Sequence, residues 1–201
     1  LSALIVPAAS AAGESPGPSP APATSSGAQA VGGAASSRSE LSVIEGDISR
    51  VLSVSPGAVR TGEYEVSWDG GAVVSTWVPT SMDRAGAQRA GASARTGLVA
   101  SASGVGGCPD GTYVDWFCFY EHASFGGRML QFRDCPSTQS LASYGFANQT
   151  TSWVNNRAGV TITVYDGSTY GTVLWREYGR SSDANVGSWA NDRADTFTCR
   201  T

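Results

Sequence analysis

The stretch FCFYEHASFGG, 117–127, gathers the side chains of this chain that most readily suggest catalysis. His122 is the only histidine; it directly follows Glu121 and lies four residues after Cys118. A thiol, an imidazole and a carboxylate can act as nucleophile, base and orienting group. Glu121 and Asp115 could instead form a carboxylate pair for general acid and base chemistry. Whether the stretch is an active site depends on the elements that hold these groups.

The charge of the chain argues against two classes of partner. Its 201 residues carry a net charge of -4, and all 13 cationic side chains are arginines dispersed along the sequence. Nucleic-acid binding requires a clustered basic surface, and an anionic membrane attracts a polybasic segment. We therefore expect neither nucleic acid nor a membrane as a partner.

The N-terminal residues have the pattern of an export signal. An apolar run, Leu1–Pro7, leads into Ala9-Ser10-Ala11, the small-x-small form that signal peptidase recognises. We interpret residues 1–12 as the remnant of a signal peptide, cleaved after Ala11 or Ala12; the alternative is an ordinary apolar terminus. The run is shorter than the ~20 residues that span a bilayer. The sequence thus predicts a secreted, extracellular protein.

Export to an oxidising compartment favours disulfide bonds between the cysteines. There are four, Cys108, Cys118, Cys135 and Cys199. Of the three possible pairings, we favour Cys108–Cys118 and Cys135–Cys199. A zinc site is the competing interpretation, but no C-x-x-C spacing occurs and one histidine is a poor supply of ligands.

The first half of the chain alternates between low-complexity and patterned segments. Residues 13–38 are rich in Pro, Ala and Ser, which predicts a disordered linker. Residues 39–79 contain apolar residues at helical spacing and then a hairpin signal around Asp69-Gly70-Gly71, so we predict a small helix–hairpin unit. Residues 80–107 return to Ala, Gly, Ser and Arg. They read as a second linker, with proteolytic processing between Arg84 and Arg95 as the alternative.

The remaining segment, 108–201, contains four of the six tryptophans and short β-rich runs separated by turns, which predicts an all-β domain. This segment repeats itself. FCFYEHASFGGRMLQF, 117–132, aligns with ITVYDGSTYGTVLWRE, 162–177, and ANQTTSW, 147–153, aligns with NDRADTF, 191–197. Because the two alignments have similar offsets, they indicate a tandem duplication of a unit of four short antiparallel strands.

Both repeats carry aromatic residues at matching positions. Tyr120, Phe125 and Gly127 match aromatic-x-x-x-x-aromatic-x-Gly, the signature of the βγ-crystallin Greek key. The second repeat keeps its aromatic pair, which ends at Tyr170, but has Thr172 in place of the glycine. The resemblance implies two tandem Greek keys that form a βγ-crystallin-like sandwich, with a small α+β unit before it.

More narrowly, the runs CFYEHASFGGRMLQF and NVGSWANDRADTF resemble a family of secreted bacterial peptidase inhibitors whose founding member inhibits metalloproteinases. The resemblance covers 108–201 and implies an inhibitor whose partner is a secreted peptidase. That founding inhibitor carries its reactive bond in a small loop closed by its own disulfide, and no two cysteines here are so closely spaced. The reactive bond is therefore unassigned, with the neighbourhoods of 135–137 and 181–183 as places to look. The oligomeric state stays open, a monomer included.

The closing loops of the two repeats resemble the βγ-crystallin calcium motif, Asn/Asp-Asn/Asp-x-x-Ser/Thr-Ser. Calcium takes several oxygen ligands, and in the family each site combines the closing loop of one key with the hairpin of the other. The resemblance implies one site formed by Glu121, Asp192, the Arg193 carbonyl and Asp195, and another formed by Asn148, the Gln149 carbonyl, Thr151 and Asp166. We expect the first to bind Ca²⁺ more tightly because Asp195 adds a carboxylate. The alternative is Asx-type turns without a metal.

The duplication also bears on catalysis. In the second repeat, Thr163 and Gly167 stand at the positions of Cys118 and His122, so the architecture does not reuse the thiol or the imidazole. We interpret Cys118 as a disulfide partner and His122 as an exposed turn residue, and we expect no enzymatic activity. The competing function is a non-inhibitory secreted binding, structural or toxin-like module, whose N-terminal unit would dock on a partner or act as a pro-region.

Overall fold

A computed structural model of the chain describes residues 27–92, 104–111, 115–169 and 171–201. The predicted signal-peptide remnant, the first part of the 13–38 linker, most of the second linker after residue 92 and Tyr170 lie outside the described residues. In the described part of the chain, no helix is long and apolar enough to cross a membrane.

The first helix, α1, spans Gly27–Val54 and thus begins within the segment that the sequence predicts as a linker. Ile48 and Val51 of its predicted apolar face are fully buried, whereas Leu41 is 38% exposed. The helix therefore packs through its C-terminal half. It ends just before Pro56-Gly57, as expected from a proline that cannot continue a helix.

Three short strands follow this helix: β1, Val59–Gly62, β2, Glu65–Trp68, and β3, Val73–Thr76. Strands β2 and β3 form the predicted antiparallel hairpin. Its turn, Asp69-Gly70-Gly71, has φ values of 51°, 62° and 91°, a left-handed conformation that glycine adopts without steric cost. Strand β1, VRTG, has no apolar alternation that predicts it and is placed by its pairing with β2.

Two helical pieces lie in the segment predicted as the second linker. Helix α2 spans Arg84–Ala92, and a 3₁₀ turn spans Val105–Gly107. Ala87 of α2 is fully buried and belongs to the main hydrophobic core. At least the part of 80–107 around α2 is thus packed against the rest of the protein.

The C-terminal strands repeat in two sets of four. The first set is β4, Phe117–His122, β5, Gly126–Phe132, β6, Thr138–Ser140, and β7, Ser152–Asn155; the second is β8, Thr161–Asp166, β9, Thr172–Glu177, β10, Ser181–Asp183, and β11, Thr196–Arg200. One sheet contains the order β5-β4-β7-β10 and the other the order β9-β8-β11-β6. Each sheet therefore takes three strands from one repeat and one from the other. This confirms the predicted pair of Greek keys and the βγ-crystallin-like sandwich.

Four phenylalanines hold the two sheets together. Phe197 on β11 lies 5.5, 5.4 and 4.9 Å, between ring centroids, from Phe117, Phe119 and Phe132 on β4 and β5. All four rings are buried. Tilted and edge-on aromatic pairs at these distances stabilise a core beyond their buried area.

The N-terminal unit extends the first sheet of the sandwich. Strand β3 pairs with β5 from Val73 opposite Phe132 to Thr76 opposite Met129, which gives one seven-stranded sheet, β1-β2-β3-β5-β4-β7-β10. Without this pairing β5 would be an edge strand with unpaired backbone groups. The helix–hairpin unit thus docks on the sandwich of its own chain.

A buried arginine fastens this contact. Arg128 on β5 is 2% exposed, and its guanidinium donates hydrogen bonds to the Ser75 hydroxyl (2.7 Å) and to the carbonyls of Tyr144 (2.6 Å) and Gly145 (2.8 Å). It stacks between Trp77 and Phe146, with ring centroids 4.4 and 5.0 Å away. The Asp47 carboxylate of α1 lies 3.8 Å from it. One side chain thus joins the helix, the hairpin and the sandwich.

Candidate functional site

All four cysteines form disulfide bonds, including Cys118, whose thiol suggested a nucleophile. Cys108 pairs with Cys118 and Cys135 pairs with Cys199, with Cα atoms 5.9 and 5.4 Å apart, as the sequence analysis favoured. His122 lies exposed at the end of β4. A Cys–His nucleophile therefore does not form in this stretch.

The two carboxylates of the alternative acid–base pair have separate partners. Asp115 accepts a hydrogen bond from the Arg180 guanidinium at 2.7 Å, and Glu121 accepts one from the Arg128 backbone N–H at 3.2 Å. Each carboxylate therefore has a structural contact that does not involve the other.

The stretch instead forms a folded hairpin. The Tyr120 and Phe125 rings lie 5.5 Å apart, edge to face. Gly127 has φ 68°, and a Cβ there would lie 2.8 Å from the His122 ring. The Ser152 hydroxyl closes the hairpin from β7, because it donates to the His122 carbonyl (2.7 Å) and accepts from the Phe125 N–H (3.1 Å).

Arg84 of α2 supports this hairpin from outside the sandwich. Its guanidinium donates to the carbonyls of Phe125 (2.7 Å) and Gly127 (3.1 Å), and it lies 5.1 Å from the Tyr120 ring centroid. Burial lowers the pKa of Arg84. The composition of the 80–107 segment gave no signal for this contact, since Arg84 stands there in a run that resembles a solvated linker.

The second hairpin is held in a similar way but turns differently. The Thr196 hydroxyl donates to the Gly167 carbonyl at 2.8 Å, as the duplication predicts from Ser152. The positive φ falls on Gly167 (78°), and the Gly171 N–H closes the turn on the Ser168 carbonyl at 2.7 Å. A turn built around Gly167 removes the need for a glycine at Thr172.

The closing loops of the two keys lie side by side. The Asn148 N–H donates to the Ala194 carbonyl (2.8 Å), and the Asp192 N–H donates to the Thr150 carbonyl (3.3 Å). Asn148 and Asp192 occupy equivalent positions and have nearly equal φ values, 57° and 56°. The predicted calcium ligands of both loops are therefore brought to one region.

The hydrogen bonds of the predicted ligands run both within and between the keys. Asp195 accepts hydrogen bonds from the Asn148 side-chain amide (3.0 Å) and the Gly167 N–H (2.8 Å). Thr151 donates its hydroxyl proton to the Glu121 carbonyl at 2.7 Å. Each closing loop thus contacts the hairpin of its own key through its fifth position, and the two cross-key ligand sets stay a prediction.

The charges of this region limit what cation it could hold. The Arg193 guanidinium donates to the Asp166 carboxylate at 2.5 and 3.1 Å, so a fixed positive charge already neutralises that acid. Asp192 is exposed and accepts from the Asn191 side-chain amide, and Gln149 is half-buried. Among the described residues, no group of three or more His, Cys, Asp or Glu side chains is arranged to hold a metal ion.

One pair of side chains in the region places two oxygen-bearing groups close together. Asp195 and Asn148 come from different keys and face each other across 3.0 Å. Rotation of the amide would present the Asn148 oxygen beside the Asp195 carboxylate, and oxygen ligands of this kind suit calcium. This donor set has a single carboxylate and is correspondingly weak.

Neither predicted neighbourhood of a reactive bond has a free, extended loop. Residues 181–183 form β10, which pairs with β7 from Ser181 opposite Asn155 to Asp183 opposite Trp153. The 135–137 segment is fixed by the Cys135–Cys199 disulfide, and the Ser137 carbonyl accepts from the Cys199 N–H at 3.4 Å. Both segments serve as parts of the sandwich.

Comparison with known proteins agrees with this architecture. Residues 101–177 match the family model of peptidase inhibitor family I36. The match begins in the last residues of the 80–107 segment and covers the first Greek key and the first two strands of the second. None of the curated proteins compared with the chain matches it.

Solved βγ-crystallin domains are also similar to this chain. A domain from Clostridium beijerinckii has 24% sequence identity and a TM-score of 0.35; the similarity covers 41% of this chain and 94% of that chain. A βγ-crystallin from Ciona intestinalis has 20% identity and a TM-score of 0.36, over 42% of this chain and 99% of that chain.

Proposed function

We propose that the protein is a secreted inhibitor of extracellular peptidases. The match of residues 101–177 to peptidase inhibitor family I36 carries this proposal. The construction of the domain supports it: two disulfides and a first sheet extended to seven strands restrain the surface. A rigid surface loses little conformational entropy when it binds a peptidase cleft.

Secretion is part of the same proposal. Two disulfides persist in oxidising compartments and are rare in the cytosol. Fractionation of the producing cells, with the intact mass of the protein in the culture medium, tests this point. Recovery of the protein in the cytosol with its signal-like residues still attached would contradict it.

We also propose that Asp195 and Asn148 hold a calcium ion with low affinity. A calcium ion there supplies positive charge between the closing loops of the two keys, where Asp195 provides the carboxylate and Asn148 the amide oxygen. Calorimetric titration of the full chain with CaCl₂ should give binding that Asp195→Ala abolishes. The same titration of Asp192→Ala is the matched control, since Asp192 contacts Asn191. Absence of heat and of a melting shift in the wild type would contradict the calcium proposal.

A peptidase panel tests inhibition directly. Purified full-length protein is assayed against thermolysin, subtilisin and chymotrypsin with peptide substrates. We expect one or more of them to lose activity. If all three keep full activity at micromolar protein, the non-inhibitory binding or toxin-like function becomes the better account.

A further inference from the structure

One tryptophan is placed differently from the other five. Trp68, Trp77, Trp116 and Trp153 are 4–6% exposed, and Trp175 is half-buried. Trp189 is 56% exposed. Leaving so large an apolar surface in water forgoes stabilisation that burial would give, and exposed aromatic residues commonly anchor protein interfaces.

The loop that carries this residue, 183–193, is braced by its own side chains; we call it the Trp189 loop. The Asp183 carboxylate accepts from the Asn185 N–H, and the Asn185 amide oxygen accepts from the Gly187 N–H, both at 2.9 Å. The Gly187 carbonyl then accepts from the N–H groups of Ala190 (3.1 Å) and Asn191 (3.0 Å). The backbone on both sides of Trp189 is thus fixed in one turn.

Further contacts tie the same loop to the first Greek key and brace it internally. The Ser124 N–H donates to the Ala184 carbonyl (2.8 Å), and the Val186 N–H donates to the Thr151 carbonyl (2.9 Å). Arg193 donates to the Trp189 carbonyl at 2.7 Å. Val186 is 7% exposed and Ala190 is fully buried, so the loop is anchored on both sides of Trp189 while the Trp189 side chain stays exposed.

We infer that the Trp189 loop is the element that binds the target peptidase, with the Trp189 indole inserted into a hydrophobic specificity pocket. This inference rests on the proposed inhibitory function. A preorganised aromatic side chain gives a large contact area at little entropic cost. Asp183 and Asp192 on the same loop are exposed, and their hydrogen-bond donors are uncharged N–H groups. Their negative charges fit a target pocket with a basic rim.

The same geometry predicts inhibition without cleavage. The loop is a tight turn in which the Gly187 carbonyl accepts from Ala190 and Asn191. Ala190, the residue after Trp189, is fully buried, so the Trp189–Ala190 peptide bond is not exposed as part of an extended strand. Trp189 therefore occupies the pocket while every peptide bond of the loop stays intact, which also explains why neither predicted neighbourhood has the form of a reactive-bond loop.

The test compares inhibition constants of three variants of the full-length protein on the most strongly inhibited enzyme among thermolysin, subtilisin and chymotrypsin. Trp189→Ala should raise the inhibition constant at least about thirtyfold, the effect of losing a binding hot spot. Trp189→Phe should raise the inhibition constant much less, because it keeps an aromatic ring. Tyr178→Ala is the matched control, since Tyr178 is 63% exposed and lies outside the loop; it should inhibit like the wild type. Equal melting temperatures show that each variant is folded.

Hydrogen exchange of the wild-type complex gives a second readout that needs no variant. Backbone amides of the Trp189 loop should gain protection when the peptidase binds, and mass spectrometry should find no cut within the loop. Unchanged inhibition by Trp189→Ala, unchanged exchange in the loop or a cut within it overturns this inference and leaves the inhibitory function standing. A wild type that inhibits none of the three enzymes overturns both.

Discussion

Arg128 offers the sharpest test of how the two parts of the protein are joined. It is fully surrounded by α1, the β2–β3 hairpin and the 144–146 loop, and burial lowers its pKa to about 10. Replacement by Ala leaves three acceptors without a donor: the Ser75 hydroxyl and the Tyr144 and Gly145 carbonyls. The Asp47 carboxylate loses its contact with Arg128 but keeps the Arg50 guanidinium and the Trp77 indole N–H as partners.

These losses set the size of the expected effect. A buried acceptor left unpaired costs about 1–3 kcal/mol, and three acceptors lose their donor. Because the groups share one network, the terms do not add. Asp47 is also partly exposed. We therefore expect Arg128→Ala to lower the free energy of unfolding by about 3–4 kcal/mol, a large share of the 5–15 kcal/mol typical of domains.

Urea unfolding of the full-length chain, followed by tryptophan fluorescence and far-UV circular dichroism, measures this loss. Arg128→Met is the matched control, because it keeps apolar volume between Trp77 and Phe146 but removes the hydrogen-bond donors. Its free energy of unfolding should still fall by at least about 2 kcal/mol. The wild type should unfold in one transition seen by both probes. A loss below about 1 kcal/mol for Arg128→Ala, or separate transitions for the two parts, would refute the reasoning.

Three further predictions concern substitutions of single residues. Glu177 is fully buried, and burial raises the pKa of its carboxyl well above the ordinary value. The protonated acid therefore contributes its full stability below the pKa of the unfolded state, and this contribution is lost as pH rises towards the pKa of the folded state. The free energy of unfolding of Glu177→Gln should therefore rise relative to that of the wild type, by up to about 1.4 kcal/mol per pH unit above pH ~5, in melting experiments. Gly127→Ala, with φ 68°, should cost about 1–2 kcal/mol, whereas Gly126→Ala, with φ -88°, should cost less in urea unfolding. Ser152→Ala should cost about 1–3 kcal/mol, since its hydroxyl bridges the first hairpin.

Each of these predictions has an outcome that contradicts it. A constant stability difference between Glu177→Gln and the wild type from pH 5 to pH 8 would mean that the buried carboxyl does not retain its proton over that range. Equal costs for the two glycine variants would remove the argument from backbone conformation. A neutral Ser152→Ala would show that the hairpin does not depend on its hydroxyl.

The duplication made the sandwich predictable, because each key repeats its own hairpin and closing loop at a fixed offset. Tyr120 has its counterpart in Tyr165, and the aromatic positions predicted the two hairpins; the equivalent hydroxyls of Ser152 and Thr196 close them. Contacts between segments far apart in the chain were not predictable in this way. The pairing of β3 with β5 depends on backbone groups that any sequence carries.

The same limit applies to the arginines and to the candidate calcium region. Arg128 and Arg84 look like surface charges in the sequence, and only the carbonyls and rings that surround them reveal their structural roles. The sequence does not show which side chains of the closing loops meet, since Asp195 contacts Asn148 and Gly167 through the relative position of the keys. Trp189 gave no signal either, because the sequence does not distinguish an exposed tryptophan from the buried ones.

Titration of a peptidase of known active-site concentration with the purified wild-type protein is the most direct test of inhibition. We expect the activity of at least one enzyme among thermolysin, subtilisin and chymotrypsin to fall in proportion to added protein and to reach its minimum near one equivalent. Full activity of all three enzymes at micromolar protein, with the protein shown to be folded, would contradict it.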